Sequence, residues 1–154
     1  MSRSLNPAHL IPIFAGTMIF VTRKEHFNAA HKMFNPKWDE TKNAEIFGKC
    51  ANKNWHGHNY ELFVTFKGEP NPETGFVANL KDISKLIRQE VCLKFDHKNL
   101  NSDVACLHGI LPSTENVAIA IWNILEPEVK KLGAQLHSVK LFETDNNFVE
   151  YFGN

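Results

Sequence analysis

The chain has 154 residues, 43% of them hydrophobic and 22% charged, and its seventeen basic residues are balanced by seventeen acidic ones. That length supports one well-buried core and is short for two, while the even charge excludes the basic excess that marks proteins built to hold nucleic acid or anionic membranes. The longest apolar stretch, LIPIFAGTMIFV from Leu10 to Val21, is broken by Pro12, Gly16 and Thr17. It falls short of the roughly 20 apolar residues that span a bilayer, and it lacks the basic start and small-residue cleavage site of a secretory signal. Three cysteines without a framework of spacings suit a reducing compartment, so a cytoplasmic protein with at least one free thiol is expected.

Residues 1–17 carry Asn6-Pro7, Pro12 and Gly16 without a sustained period and read as an N-terminal arm; residues 18–154 read as a single domain. From Met18 to Ala29, MIFVTRKEHFNA is rich in β-formers and predicts a first strand that leads into His31. The polar segment NPKWDETKNAEIFGK, residues 35–49, opens on Asn-Pro, ends near a glycine and predicts an exposed loop. Tyr60 to Lys67, YELFVTFK, alternates as a second strand does, and GEPNPETG after it supplies turn signals. Leu80, Ile83, Leu86, Ile87 and Val91 fall at helical spacing and predict a helix from Asn79 to Cys92.

The segment FDHKNLNSDVACLHGILPS is a long connection, of the kind that often carries function. STEN, Ser113 to Asn116, reads as a helix start, with Ser113 or Thr114 as cap and Glu115 at the positive end of the dipole. Val117, Ile121, Ile124 and Leu125 supply that helix's apolar face. Beyond Gly133, LHSVKLFE and NFVEYF predict two more strands joined by the turn TDNN. The order β-β-α-α-β-β implies an α+β fold, a four-stranded antiparallel sheet with two helices on one face.

The chemistry concentrates at CANKNWHGHNY, residues 50–60. Successive strand side chains alternate, so His56 and His58 share a face, with Gly57 clearing space between them. Two imidazoles make half a zinc site. His31, at the end of the first strand, is the best third ligand, because an antiparallel neighbour brings it alongside; His26 points to the other face. The bland alternative is a chance pair of histidines on a surface strand. Cys50 sharpens the choice: as a fourth ligand it would close a structural site, whereas three histidines alone leave a position for water or substrate. A cupin-like centre of two histidines and a glutamate fits less well, because Glu61 points away from the histidine face.

Asp96-His97, in the long connection, is a plausible acid and imidazole pair, the carboxylate orienting the ring. Glu143, at the end of an apolar strand, is either an exposed terminus or a carboxylate at a pocket floor; a buried carboxylate wants paired donors, which the amidine-like edge of a heterocycle supplies. Cys92 and Cys106 read as core or loop thiols.

FNAAH, the cysteine followed by HGHNY, TGFVANL, FDHKNLN, STENVA and ETDNN, in that order from Phe20 to Tyr151, resemble the 6-pyruvoyl tetrahydropterin synthase family, with its bacterial relatives the 6-carboxytetrahydropterin synthases of queuosine biosynthesis. The resemblance implies a tunnelling fold whose subunits join sheets edge to edge into a barrel, with trimers stacked into a homohexamer. It implies that His31, His56 and His58 bind Zn2+, that Cys50 is the catalytic thiol, and that Asp96 and His97 assist it across a subunit interface. Glu143 matches the pterin anchor, with Thr114 and Glu115 near the same ring. The implied reaction converts 7,8-dihydroneopterin triphosphate to 6-pyruvoyl tetrahydropterin with elimination of triphosphate. The alternative branch takes the same substrate to 6-carboxytetrahydropterin and acetaldehyde; the five residues between Cys50 and His56 and the form of ETDNN resemble the pyruvoyl branch. A reading of another class is a zinc-stabilised binding module in which Cys50 closes the tetrahedron.

Overall fold

Two antiparallel strands, β1 (Ile19–His31) and β2 (His56–Gly68), form the centre of the molecule. The computed structural model describes residues 16–153, so all but the last two positions of the expected N-terminal arm lie outside the described residues. Along β1, Glu25, Phe27, Ala29 and His31 are buried while Lys24 and His26 are exposed; along β2, Tyr60, Leu62, Val64 and Phe66 are buried. One sheet face therefore carries the core. Both strands overrun the expected bounds: pairing continues to His31 opposite His56, because the ladder with β1, rather than any apolar alternation in His-Gly-His, holds the start of β2 extended.

β4 (Gln135–Phe142) pairs antiparallel with β2, and β5 (Phe148–Tyr151) with β4. The register of β2 against β4 shifts between Thr65 and Phe66, whose partners are Ser138 and Leu136. The bulge at His137 is why Leu136 and Val139, three positions apart, are both buried. A two-residue strand, β3 (Lys98–Asn99), runs parallel to β1, so the sheet is five-stranded and mixed, in the order β3-β1-β2-β4-β5, where four antiparallel strands were expected.

The helices cover the buried face. α2 (Leu80–Ile87), capped by the Asn79 side chain, continues through one π turn, Arg88–Cys92, into α3 (Leu93–Phe95). The π turn inserts an extra residue, which keeps the row Ile83, Ile87, Val91 and Phe95, all buried, facing the sheet. α4 (Thr114–Lys131) lays Val117, Ile121, Leu125 and Val129 into the same core. Each fully buried aliphatic or aromatic side chain of this cluster contributes about 1.5–3 kcal/mol. The long connection carries β3 and a 3-10 turn, Ala105–Leu107, and buries Leu100, Val104 and Leu107.

The expected loop at residues 35–49 instead contains α1 (Glu40–Phe47), followed by a 3-10 turn, Gly48–Ala51. Asp39 caps it, accepting from the Lys42 amide at 2.8 Å. The residue that α1 buries is polar, Asn43, 1% exposed. Its Oδ1 accepts from the Asn35 amide (2.7 Å), and its Nδ2 donates to the carbonyls of Asn35, Trp38 and Asp39 (3.0, 3.2 and 2.9 Å). A helix anchored by amide hydrogen bonds shows no apolar period, which is why the polar sequence reads as a loop.

Candidate active site

The β1–β2 register sets His31 opposite His56, and alternation puts His58 on the same face. The three rings lie 4.5 Å (His31–His56), 5.0 Å (His31–His58) and 4.9 Å (His56–His58) apart between centroids, and one ligating nitrogen from each lies within 4.8 Å of the others. His26 is exposed on the opposite face. The Pro112 carbonyl lies 2.8 Å from Nδ1 of His31; a carbonyl only accepts, so Nδ1 carries the proton and Nε2 turns a lone pair into the cluster.

Burial, first, lowers the pKa of all three histidines, and a neighbouring imidazole adds to the shift in each, against the opposing pull of Glu143. They are therefore neutral at ordinary pH, the form that ligates. His31 Nε2, both nitrogens of His56 and His58 Nε2 are buried without a hydrogen-bond partner among the described residues, and a Glu143 carboxylate oxygen stands 3.4 Å from His31 Nε2 and 3.6 Å from His58 Nε2. Bare lone pairs facing a carboxylate oxygen repel one another, and a cation between them turns every one of those contacts favourable. The residues present fit a metal ion.

The cluster opens on a cavity of about 480 Å³ lined by His31, Cys50, Thr114, Glu115, Glu143 and Phe148, among others. Cys50 sits exposed in the 3-10 turn after α1, and its carbonyl accepts from the Met33 amide at 2.9 Å, which ties the thiol's turn to the chain leaving β1 just beyond His31. Its sulfur is not among the ligand atoms that converge. Ser113 is the observed cap of α4, accepting from the Asn116 amide at 3.4 Å, which leaves Thr114, 9% exposed, and Glu115 on the cavity wall. The turn after β4 closes with the Glu143 amide donating to the Asn147 carbonyl at 3.0 Å, and so aims Glu143 inward.

Asp96 and His97 are paired, Oδ2 to Nδ1 at 2.8 Å. The Asn28 amide, donating to Asp96 Oδ1 at 2.7 Å, is the chief reason that the Asp96 carboxyl lies below its ordinary pKa, with His97 adding to it. His97 adopts a left-handed φ of 56°, a conformation uncommon for a non-glycine residue, held by its amide donating to the Asn28 carbonyl at 2.6 Å. Within one chain His97 does not line the Cys50 cavity: it lines a neighbouring concavity at the β3 edge of the sheet with Asn28, Gly57, His58 and Asn59.

Tyr60, read from the sequence only as the start of a strand, stands two positions beyond His58 on the same face, fully buried, with its ring edge-on to His58 at 5.7 Å. Continuing the alternation past His58 was the signal for it. Asn43 and Met33, which place the Cys50 turn, carried no such signal, since their partners are backbone groups.

A sheet end that gathers three imidazoles able to hold a metal ion, beside a cavity lined by a thiol and a carboxylate, defines a candidate metal-centre protein, and the comparisons give the family. The family model described as 6-pyruvoyl tetrahydropterin synthase matches residues 20–154. A human 6-pyruvoyl tetrahydrobiopterin synthase is 43% identical over 133 residues, covering 86% of this chain and 90% of that protein. The solved structure of Caenorhabditis elegans 6-pyruvoyl tetrahydropterin synthase superposes with a TM-score of 0.82 at 34% identity, over 89% of this chain and 96% of that one. A Rickettsia typhi 6-carboxy-5,6,7,8-tetrahydropterin synthase is 28% identical over 149 residues, 86% of this chain and 99% of its own. The chain belongs to the 6-pyruvoyl tetrahydropterin synthase family.

Proposed function

We propose that the protein is a zinc-dependent 6-pyruvoyl tetrahydropterin synthase, a lyase that converts 7,8-dihydroneopterin triphosphate to 6-pyruvoyl tetrahydropterin with loss of triphosphate. The observation that carries this reading is the convergence of His31, His56 and His58, with His31 opening the cluster on the cavity that Cys50 and Glu143 also line. The histidines would hold Zn2+, which when bound supplies Lewis acidity to the hydroxyls of the substrate side chain. Glu143 accepts the paired N–H groups along the pterin edge, and Thr114 and Glu115 border the same ring. Cys50, as thiolate, moves protons at the side-chain carbons, and His97, oriented by Asp96, serves as the second acid or base. Hydrogen passes from side chain to pterin ring without an external redox cofactor.

Because His97 lies away from Cys50 in one chain, the working site is assembled between neighbouring subunits of a homo-oligomer, which the family resemblance makes a hexamer. Joining short edges such as β3 and β5 between subunits also protects backbone groups that an isolated sheet exposes. The exclusion of Cys50 from the converging ligand atoms favours an open, catalytic site over a closed structural one. The greater identity to the human pyruvoyl enzyme than to the Rickettsia carboxy enzyme favours the pyruvoyl branch. No helix among the described residues is long and apolar enough to cross a membrane, and a cytoplasmic setting suits the three unpaired cysteines.

The test is incubation of zinc-loaded protein with 7,8-dihydroneopterin triphosphate and identification of products by mass spectrometry. A pyruvoyl product with free triphosphate is expected; acetaldehyde with a carboxypterin would move the protein to the other branch, and unchanged substrate would refute the activity. Mixing inactive Cys50→Ala and His97→Ala proteins under subunit exchange restores activity if the site is shared, and restores none if each chain acts alone.

A further inference from the structure

The row that carries His56 and His58 ends, on the same face, in Tyr60. Its ring stacks on Phe27 at 5.0 Å and meets His58 and His31 edge-on at 5.7 and 6.3 Å, so three neighbouring rings hold it in place. It is 0% exposed, and its hydroxyl has no hydrogen-bond partner among the described residues. A phenylalanine would fill the same stack without stranding a buried O–H, and a stranded O–H destabilises the fold. The ring that carries this hydroxyl lies in the same buried layer as the histidine cluster and packs directly against two of its three members, His31 and His58.

The geometry points to Tyr60 as a positioning residue of the metal centre, its O–H donating to an oxygen anion that the loaded centre holds beside His31 and His58. This rests on the reading of the three histidines as metal ligands. The phenol is a neutral donor in a dry setting, the form that orients an anion without adding charge. The anion comes either from the Glu143 carboxylate, already 3.4 Å from His31 Nε2, or from an oxygen of a bound molecule. A donor fixed beneath two ligands would orient that oxygen and so tighten the hold on the metal, as groups just outside a metal's ligands do.

The experiment compares full-length wild type and Tyr60→Phe, stripped and reloaded with Zn2+, by competition with a chromogenic chelator, and records the visible spectrum with Co2+. Expected is a loss of zinc affinity of about 10- to 100-fold and an altered Co2+ spectrum, with no fall in the melting temperature of the metal-free protein. In a Glu143→Gln background the effect of Tyr60→Phe vanishes if Glu143 is the partner and persists if the oxygen arrives with a bound molecule. Equal zinc affinity and an unchanged spectrum would overturn the assignment, and a wild type that binds no zinc would overturn the metal reading with it. Should the variant fail to fold, wild type labelled with 3-fluorotyrosine decides the matter: the chain has two tyrosines, Tyr151→Phe assigns the resonances, and the Tyr60 signal must shift when Zn2+ is added. A signal that stays in place refutes the role.

Discussion

Replacing Asn43 with alanine removes one acceptor and a donor group shared among three carbonyls from a residue 1% exposed. Net contributions of about 0.5–1.5 kcal/mol per hydrogen bond, with an added penalty for the half-buried Asn35 amide left without its partner, put the loss at about 2–4 kcal/mol. The loss is local, since the hydrogen bonds of Asn43 join residues 35–39 to α1 and Asn43 is not a member of the main core cluster. At about 1.4 kcal/mol per tenfold, opening of the 35–51 segment becomes about 30- to 700-fold more frequent. Amide hydrogen exchange across α1 should accelerate by that factor while the strands keep their protection. Cys50 follows in the next turn, so its reaction with a thiol reagent, measured in a Cys106→Ser background, should change together with the exchange. Unchanged exchange in residues 35–51, or an equal loss of protection in β1 and β2, would refute the view that Asn43 anchors the thiol's support.

Glu25 is buried between Ser84 Oγ (2.7 Å), Arg23 Nε (2.8 Å) and Arg88 Nε (3.0 Å); burial pushes its carboxyl up, but these donors together hold it below the ordinary value. A depressed pKa contributes stability above the unfolded carboxylate value, about 4.3, and that contribution is lost as pH falls through the lower folded value. Glu25→Gln should therefore flatten the acid side of a melting-temperature profile between pH 7 and pH 3; parallel profiles would contradict the pairing. Zinc at about 100 times its Kd should add about 2.7 kcal/mol of stability, seen as a raised melting temperature that chelation reverses and His56→Ala abolishes, and a variant that still responds fully would exclude His56 as a ligand. A Cβ at Gly57 would lie 3.3 Å from the Ala29 carbonyl oxygen, so Gly57→Val should weaken zinc binding more than Gly57→Ala, with calorimetric titration as the check and equal affinities as the refutation. Cys50→Ala should keep its zinc, by metal analysis, while losing turnover; full activity in that protein would remove the thiol from the chemistry.

Where a residue's role depends on period and adjacency along a strand, it was legible in advance. His56 and His58 share a face because side chains alternate, and the antiparallel neighbour brings His31 opposite by chain reversal alone. α2 and α4 announced themselves through apolar residues at helical spacing, and Ser113 through capping chemistry. α1 did not, because its single buried anchor is an amide satisfied by backbone groups, and β3 did not, because two residues carry no period and are held extended only by β1. The π turn and the bulge at His137 were likewise invisible, since each is a change of phase set by packing against the opposite layer.

The amino-acid order by itself therefore determined the α+β class, the three-histidine cluster and the thiol near it, because local periodicity and strand reversal place them. Only the tertiary structure decided which groups surround them. It set Pro112 against His31, Glu143 beside the histidine nitrogens and Tyr60 against their rings, and it left His97 outside the cavity that Cys50 lines. Those placements join segments up to 112 residues apart, His31 and Glu143 being the extreme, and contacts at such separations are chosen by how the layers close on one core, a property that no local pattern encodes.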